Sequence, residues 1–157
     1  MSKLMDLVAG SAPEIVAVIG LDDLAAFDDR GRFPAHLALG SGLDPTWLDL
    51  FAEAARSVTG DDGPSDFIDA RLEIEGSGDA DEHTIERVDP TWITTVARLA
   101  DGDVSAIAAR WIELVEDELG PLPREEKPWI RELAGQLVVF CRSADRSPDV
   151  LFAWSLR

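Results

Sequence analysis

Apolar residues in this chain recur at helical spacing from Trp47, alternate with polar ones from Ile68, and return to helical spacing from Ile93. That double change of period leaves few folds open, because a period of 3.6 buries one stripe of a helix and a period of 2 buries one face of a strand. The order predicts an α+β fold, predominantly helical. Its small antiparallel sheet has three strands, a hairpin over 67–88 and a C-terminal strand over 150–156.

Local chemistry sets the boundaries. Asp44 supplies an N-cap acceptor and Pro45 a preset φ, ahead of Trp47, Phe51, Ala54 and Val58 on one helical face. Gly60 ends that helix, and Asp61, Asp62, Gly63 and Pro64 form a loop. In the following strand Ile68, Ala70, Leu72 and Ile74 alternate with Asp69, Arg71, Glu73 and Glu75. Gly76 to Asp81 reads as a turn, and His83 to Val88 as the returning strand.

Asp89, Pro90, Thr91 and Trp92 repeat the earlier helix opening, with Ile93, Val96 and Leu99 behind them. The downstream halves diverge at once, which favours convergent capping over an internal duplication. Asp101, Gly102 and Asp103 break this helix and cap another that carries Val104, Ile107, Trp111, Leu114 and Val115, stopped by Gly120 and Pro121. The last helix opens between Arg124 and Pro128 and turns Ile130, Leu133, Leu137, Phe140, Cys141 and Ala144 inward. Val150 to Leu156 is almost wholly apolar, as in a strand covered on both faces.

Residues 1–43 read differently. Gly10, Pro13, Gly20, Gly31, Pro34, Gly40 and Gly42 divide them into short apolar pieces, which predicts short irregular helices. Leu4, Leu7 and Val8 fit one turn, Ile15, Val16 and Ile19 a second, and Leu21, Leu24, Ala25 and Phe27 a third that ends in the turn Asp28 to Gly31. With 44–157 as the main body, the 157 residues are expected to form one domain around one core.

Charge narrows the class of partner. There are 31 Asp and Glu against 14 Lys and Arg, a formal balance of −17 spread along the chain. Phosphate recognition needs clustered cations that release counterions, so neither nucleic acid nor an anionic membrane is an expected partner. Asp6 interrupts the first apolar run, no long apolar segment follows, and Cys141 has no second cysteine to pair with; together these predict a reducing, cytoplasmic home. Cys141 itself reads as a small core residue, far in sequence from His36 and His83.

Motifs that carry chemistry are scarce. The phosphate-loop, dinucleotide and nucleophile-elbow spacings are absent, and no cofactor is expected. Asp79, Asp81, Glu82 and His83 have ligand types without the calcium-loop order and read as a solvated turn. Glu113 with Glu116 or Asp117 shares a helical face, but it is the face opposite the apolar stripe, where carboxylates stay hydrated. Trp47, Trp92 and Trp111 read as core, whereas Trp129, beside Pro128 at a helix start, is the candidate aromatic contact for a partner.

Three functional readings remain. Distributed acid without a catalytic constellation favours an interaction module, an adaptor or an inhibitor of a basic protein. An enzyme or small-molecule binder would assemble its site around Asp28, Asp29, Arg30, Arg32 and His36. A structural subunit of a homo-oligomer would associate through the N-terminal helices or an exposed sheet edge.

Overall fold

The computed structural model describes residues 3–21, 23–40, 43, 45–60, 67–72 and 83–156. Its elements in chain order are β1 Lys3–Gly10, α1 Ala12–Gly20, β2 Ala35–Gly40, α2 Pro45–Thr59, β3 Ile68–Leu72, β4 His83–Val88, α3 Pro90–Ala97, α4 Val104–Leu119, α5 Lys127–Ala144 and β5 Asp149–Leu156. Short 3-10 turns occupy Leu24–Asp28, Asp101–Asp103 and Arg124–Glu126. The sheet order is β2-β1-β5-β4-β3, with each neighbouring pair antiparallel.

The mixed helix and sheet class is as the periodicity predicts, but the sheet has five strands, not three. Both extra strands come from the N-terminal third, where spacing predicts helical turns. β1 is covered on both faces, so Met5 to Ala9 are all buried and its apolar residues run on without the alternation that marks a half-buried strand. In so short a run, Leu4, Leu7 and Val8 match helical spacing by coincidence. Pro34 and Gly40 bracket β2 without breaking a helix, and Gly40 has a φ of 72° that suits the strand's end. The expected turns at α1 and Leu24–Asp28 are present.

Strand register explains the layering. Leu7 lies beside Leu37 and Phe152, and the next row sets Val8 beside His36 and Leu151. Side chains alternate across a strand, so the two rows face opposite sides of the sheet. The Leu7 side carries the larger core under α2 to α5, where α2 packs on α4 and α3 on α5. The Val8 side is closed by Ile15, Val18 and Ile19 of α1 with Phe27 and Phe33 from the connection to β2. Where composition predicts one core, the sheet divides it into two.

An aromatic chain ties helices to sheet. Trp47 meets Trp111 at 6.3 Å, Trp111 meets Phe51 at 4.9 Å, and Phe67 bridges Trp92 at 4.8 Å to Phe152 at 5.7 Å. Edge-to-face pairs of this kind contribute about 0.5–1.5 kcal/mol each beyond the area they bury. Trp92 donates from Nε1 to the Leu48 carbonyl at 3.2 Å, and Trp111 to that of Trp47 at 2.8 Å, so burial strands neither indole N–H. Trp92 and Trp111 are fully buried and Trp47 is half-buried.

Of the two capping aspartates among the described residues, one caps its helix and the other does not. Asp89 accepts from the Thr91 amide at 2.8 Å, the expected N-cap, whereas Asp44 lies outside the described residues. Asp103 makes no capping bond to α4; a 3-10 turn leads into that helix, and Asp101 reaches the Arg142 guanidinium at 2.8 Å. The α2 and α3 repeats part quickly, one helix running 15 residues and the other 8. The loop Asp61 to Pro64 and the turn Gly76 to Asp81 lie outside the described residues.

Candidate functional site

The site is built where β1, β2 and the 3-10 turn Leu24–Asp28 meet. Asp6 and His36 project from adjacent strands on the Val8 side of the sheet, and Asp28 closes over them from the end of the turn. His36 Nε2 lies 2.8 Å from Asp6 Oδ1, and Nδ1 lies 2.9 Å from Asp28 Oδ1. The Phe27 ring rests 5.6 Å from the imidazole and Phe33 packs edge-on against Phe27, so the cluster has an apolar lid. Asp6 is 9% exposed and His36 13%, while Asp28 stands 72% in water.

Both partners of the ring are carboxylates, which accept and cannot donate when ionised. Only the imidazolium satisfies both at once; a neutral ring would turn a lone pair toward one of them. Burial pulls the His36 pKa down, but the hydrogen bonds and charges of Asp6 and Asp28 outweigh it and hold the pKa above the ordinary histidine value. The hydrogen bond from His36, then the charge of His36 and that of Arg30, hold the Asp28 carboxyl below the usual carboxylate range against a weak opposing effect of burial.

Of the candidate residues named from the sequence, Asp28, Arg30 and His36 come together. Arg30 donates to the Phe27 carbonyl at 2.8 Å and lies 4.0 Å from Asp28. Asp29 turns aside to accept from the Gly31 amide at 2.9 Å, which shapes the turn. Arg32 pairs with Glu14 of α1 at 3.0 Å. Trp129 is 41% exposed in the first turn of α5, away from the cluster. Asp6 is the functional residue that sequence reasoning misses: its signal is a carboxylate inside an apolar run, which is how a buried, paired acid looks when its partner is distant in sequence.

Beside the cluster lies an open groove of about 610 Å³ between β2 and α5, which Trp129 does not line. Pro34 to Leu37 form one side, and Glu132, Gly135, Gln136 and Val139 form the other. The second set is one helical row, spaced three and four residues apart on the face of α5 that turns away from the core. Val139 is 62% exposed there, an apolar side chain where a solvated helix would carry a polar one. Arg142 also borders the groove, but it is spent on Asp101 and on the carbonyls of Ala97 and Leu99.

Among the described residues the other candidate groups lack the surroundings that chemistry would need. Cys141 is buried, and burial first, then the charge of Asp145, pushes its thiol well above the ordinary range, away from thiolate chemistry. Asp79, Asp81 and Glu82 lie outside the described residues, and His83 lies on β4. Among the described residues no group of three or more His, Cys, Asp or Glu is placed to hold a metal, and no helix is long and apolar enough to cross a membrane. Glu113 pairs with Arg110 at 3.0 Å on the outer face of α4 instead of with a second carboxylate for acid and base work. No protein-family profile, curated sequence or solved structure matches this chain.

Proposed function

We propose that this chain is an interaction module that binds a basic polypeptide along the groove between β2 and α5. The observation that carries the reading is an open groove of about 610 Å³ with an exposed apolar residue, Val139, on its wall, in a chain of formal charge −17. Distributed negative charge speeds encounter with a cationic partner, and the apolar wall gives the encounter a place to end. An adaptor or an inhibitor of a basic protein fits this chemistry. The buried single Cys141 is compatible with a reducing, cytoplasmic setting.

The test is fluorescence anisotropy with a labelled octapeptide of alternating lysine and valine, and a glutamate-valine peptide as control. The lysine peptide should saturate, weaken as salt rises from about 50 to about 200 mM, and bind Val139→Ser about tenfold less tightly. Equal affinity for both peptides, or indifference to the Val139 change, would refute the reading.

A second reading, a small-molecule binder or enzyme, is favoured by one observation: His36, held against Asp6, borders the groove. Against acid and base work stands the occupancy of both ring nitrogens by carboxylates. Saturable, salt-independent binding of small uncharged ligands in the groove would favour this reading over the first.

A further inference from the structure

We infer that the occupant of the groove is an extended segment of a basic protein, hydrogen-bonded to the open edge of β2 as a sixth strand; this rests on the groove's being a basic-polypeptide site. Among the described residues β2 pairs with β1 alone, so it forms one edge of the sheet. The groove is lined by Pro34, Ala35, His36 and Leu37 in succession. Side chains of successive strand residues point to opposite faces, so a single groove touches Ala35, His36 and Leu37 of β2 together only along the backbone edge. The outward amides and carbonyls of β2 therefore face the groove, and among the described residues no second strand pairs with them.

Two features distinguish this edge. Natural sheets protect exposed edges with charge, proline or cover; within Ala35–Gly40 the one charged group, His36, is tied back to Asp6 and Asp28, and Pro34 stands only before the strand, whereas β3 at the far edge includes Asp69 and Arg71 in its sequence. The opposite wall carries Gly135 in the interior of an 18-residue helix, where glycine costs about 1 kcal/mol relative to alanine. Among the described residues a Cβ at Gly135 would meet nothing within 4 Å, so no packing by them demands its absence. Its absence leaves room for a backbone to lie between α5 and β2.

Charge selects among occupants. A second copy would bring another −17 to the same edge. The cations bordering the groove are engaged internally, Arg142 by Asp101 and two carbonyls, Arg30 by the Phe27 carbonyl and His36 by Asp6 and Asp28, whereas the groove's Glu132 is exposed. Alternate residues of an added strand would face Leu37 and Val139 on the α5 side, with the exposed Glu132 on the same wall. Apolar residues suit Leu37 and Val139, and lysine or arginine suits Glu132.

The test uses the full chain and the lysine-valine octapeptide, with hydrogen exchange of the β2 amides followed by NMR. Peptide binding should slow exchange at alternate amides within Ala35–Gly40. N-methylating the lysines and N-methylating the valines should have unequal effects, one series losing about tenfold or more affinity relative to the other. Gly135→Phe, which fills the groove, should weaken binding by about tenfold or more while leaving the thermal midpoint no lower. Binding with unchanged β2 exchange and equal tolerance of both methylations would overturn strand addition and leave the basic-polypeptide reading standing. No saturable binding up to millimolar peptide would overturn both. Slow, concentration-dependent exchange at β2 without peptide would assign the edge to a second copy and overturn the inference.

Discussion

Replacing His36 by leucine removes the cation that joins β1, β2 and the Leu24–Asp28 turn, and its consequence can be worked from the geometry. The inner bond, from Nε2 to the 9%-exposed Asp6, is a charge-assisted hydrogen bond at 2.8 Å in a largely dry setting. Bonds of that kind contribute about 1.5–3 kcal/mol. In a chain of this length each kcal/mol moves the thermal midpoint by about 2–4 °C, so His36→Leu should lower it by about 3–12 °C. Asp28→Ala removes the bond whose acceptor stands in water and should lower it far less.

The pH dependence has a definite direction. A histidine whose folded pKa is raised contributes stability that is fully present below its unfolded value, near 6.5, and lost as pH climbs through the folded value. Asp28, whose folded pKa is lowered, contributes stability present above its ordinary value of 3.8 and lost as pH falls through the folded value. The tie is therefore strongest between those two values. Melting curves by circular dichroism for the wild type and His36→Leu should differ most near pH 5.5 and converge toward pH 9. A difference that grows with pH, or does not change, would refute the imidazolium assignment.

Further substitutions probe other parts of the fold. Gly135→Ala should raise stability by about 1 kcal/mol in urea unfolding, because the helix gains propensity and the new methyl meets open space; a loss would mean that this face of α5 is packed. Asp89→Ala should cost about 0.5–2 kcal/mol by deleting the bond to the Thr91 amide, and adding Thr91→Ala should lose little more, since the acceptor is the side chain at position 89.

Elements with a single buried stripe are legible in the sequence, because their periodicity records burial directly. The stripes of α2, α4 and α5 and the Asp89 cap lie where spacing and turn residues put them, and β5, although buried on both faces, is legible from an unbroken apolar run that follows Ser147 and Pro148. β1 is not legible in that way: a strand buried on both faces loses the alternation that identifies it, and Asp6 looks like a break in a hydrophobic run. β2 is hidden by its brevity and by the proline and glycine that delimit it. Once both are strands, Asp6 and His36 become neighbours across a ladder although they lie 30 residues apart in sequence. The Asp28, Arg30 and His36 part of the site is visible locally; its buried partner and the groove depend on long-range pairing that spacing does not encode.

The most direct measurement is a two-dimensional NMR map of backbone amides during titration with the lysine-valine octapeptide. The expected result is a saturable set of shifts confined to residues 35–40 and to the outward row of α5 around Glu132, Gly135 and Val139. Shifts scattered over the acidic surface, growing without saturation and vanishing at moderate salt, would contradict a groove built to hold a partner.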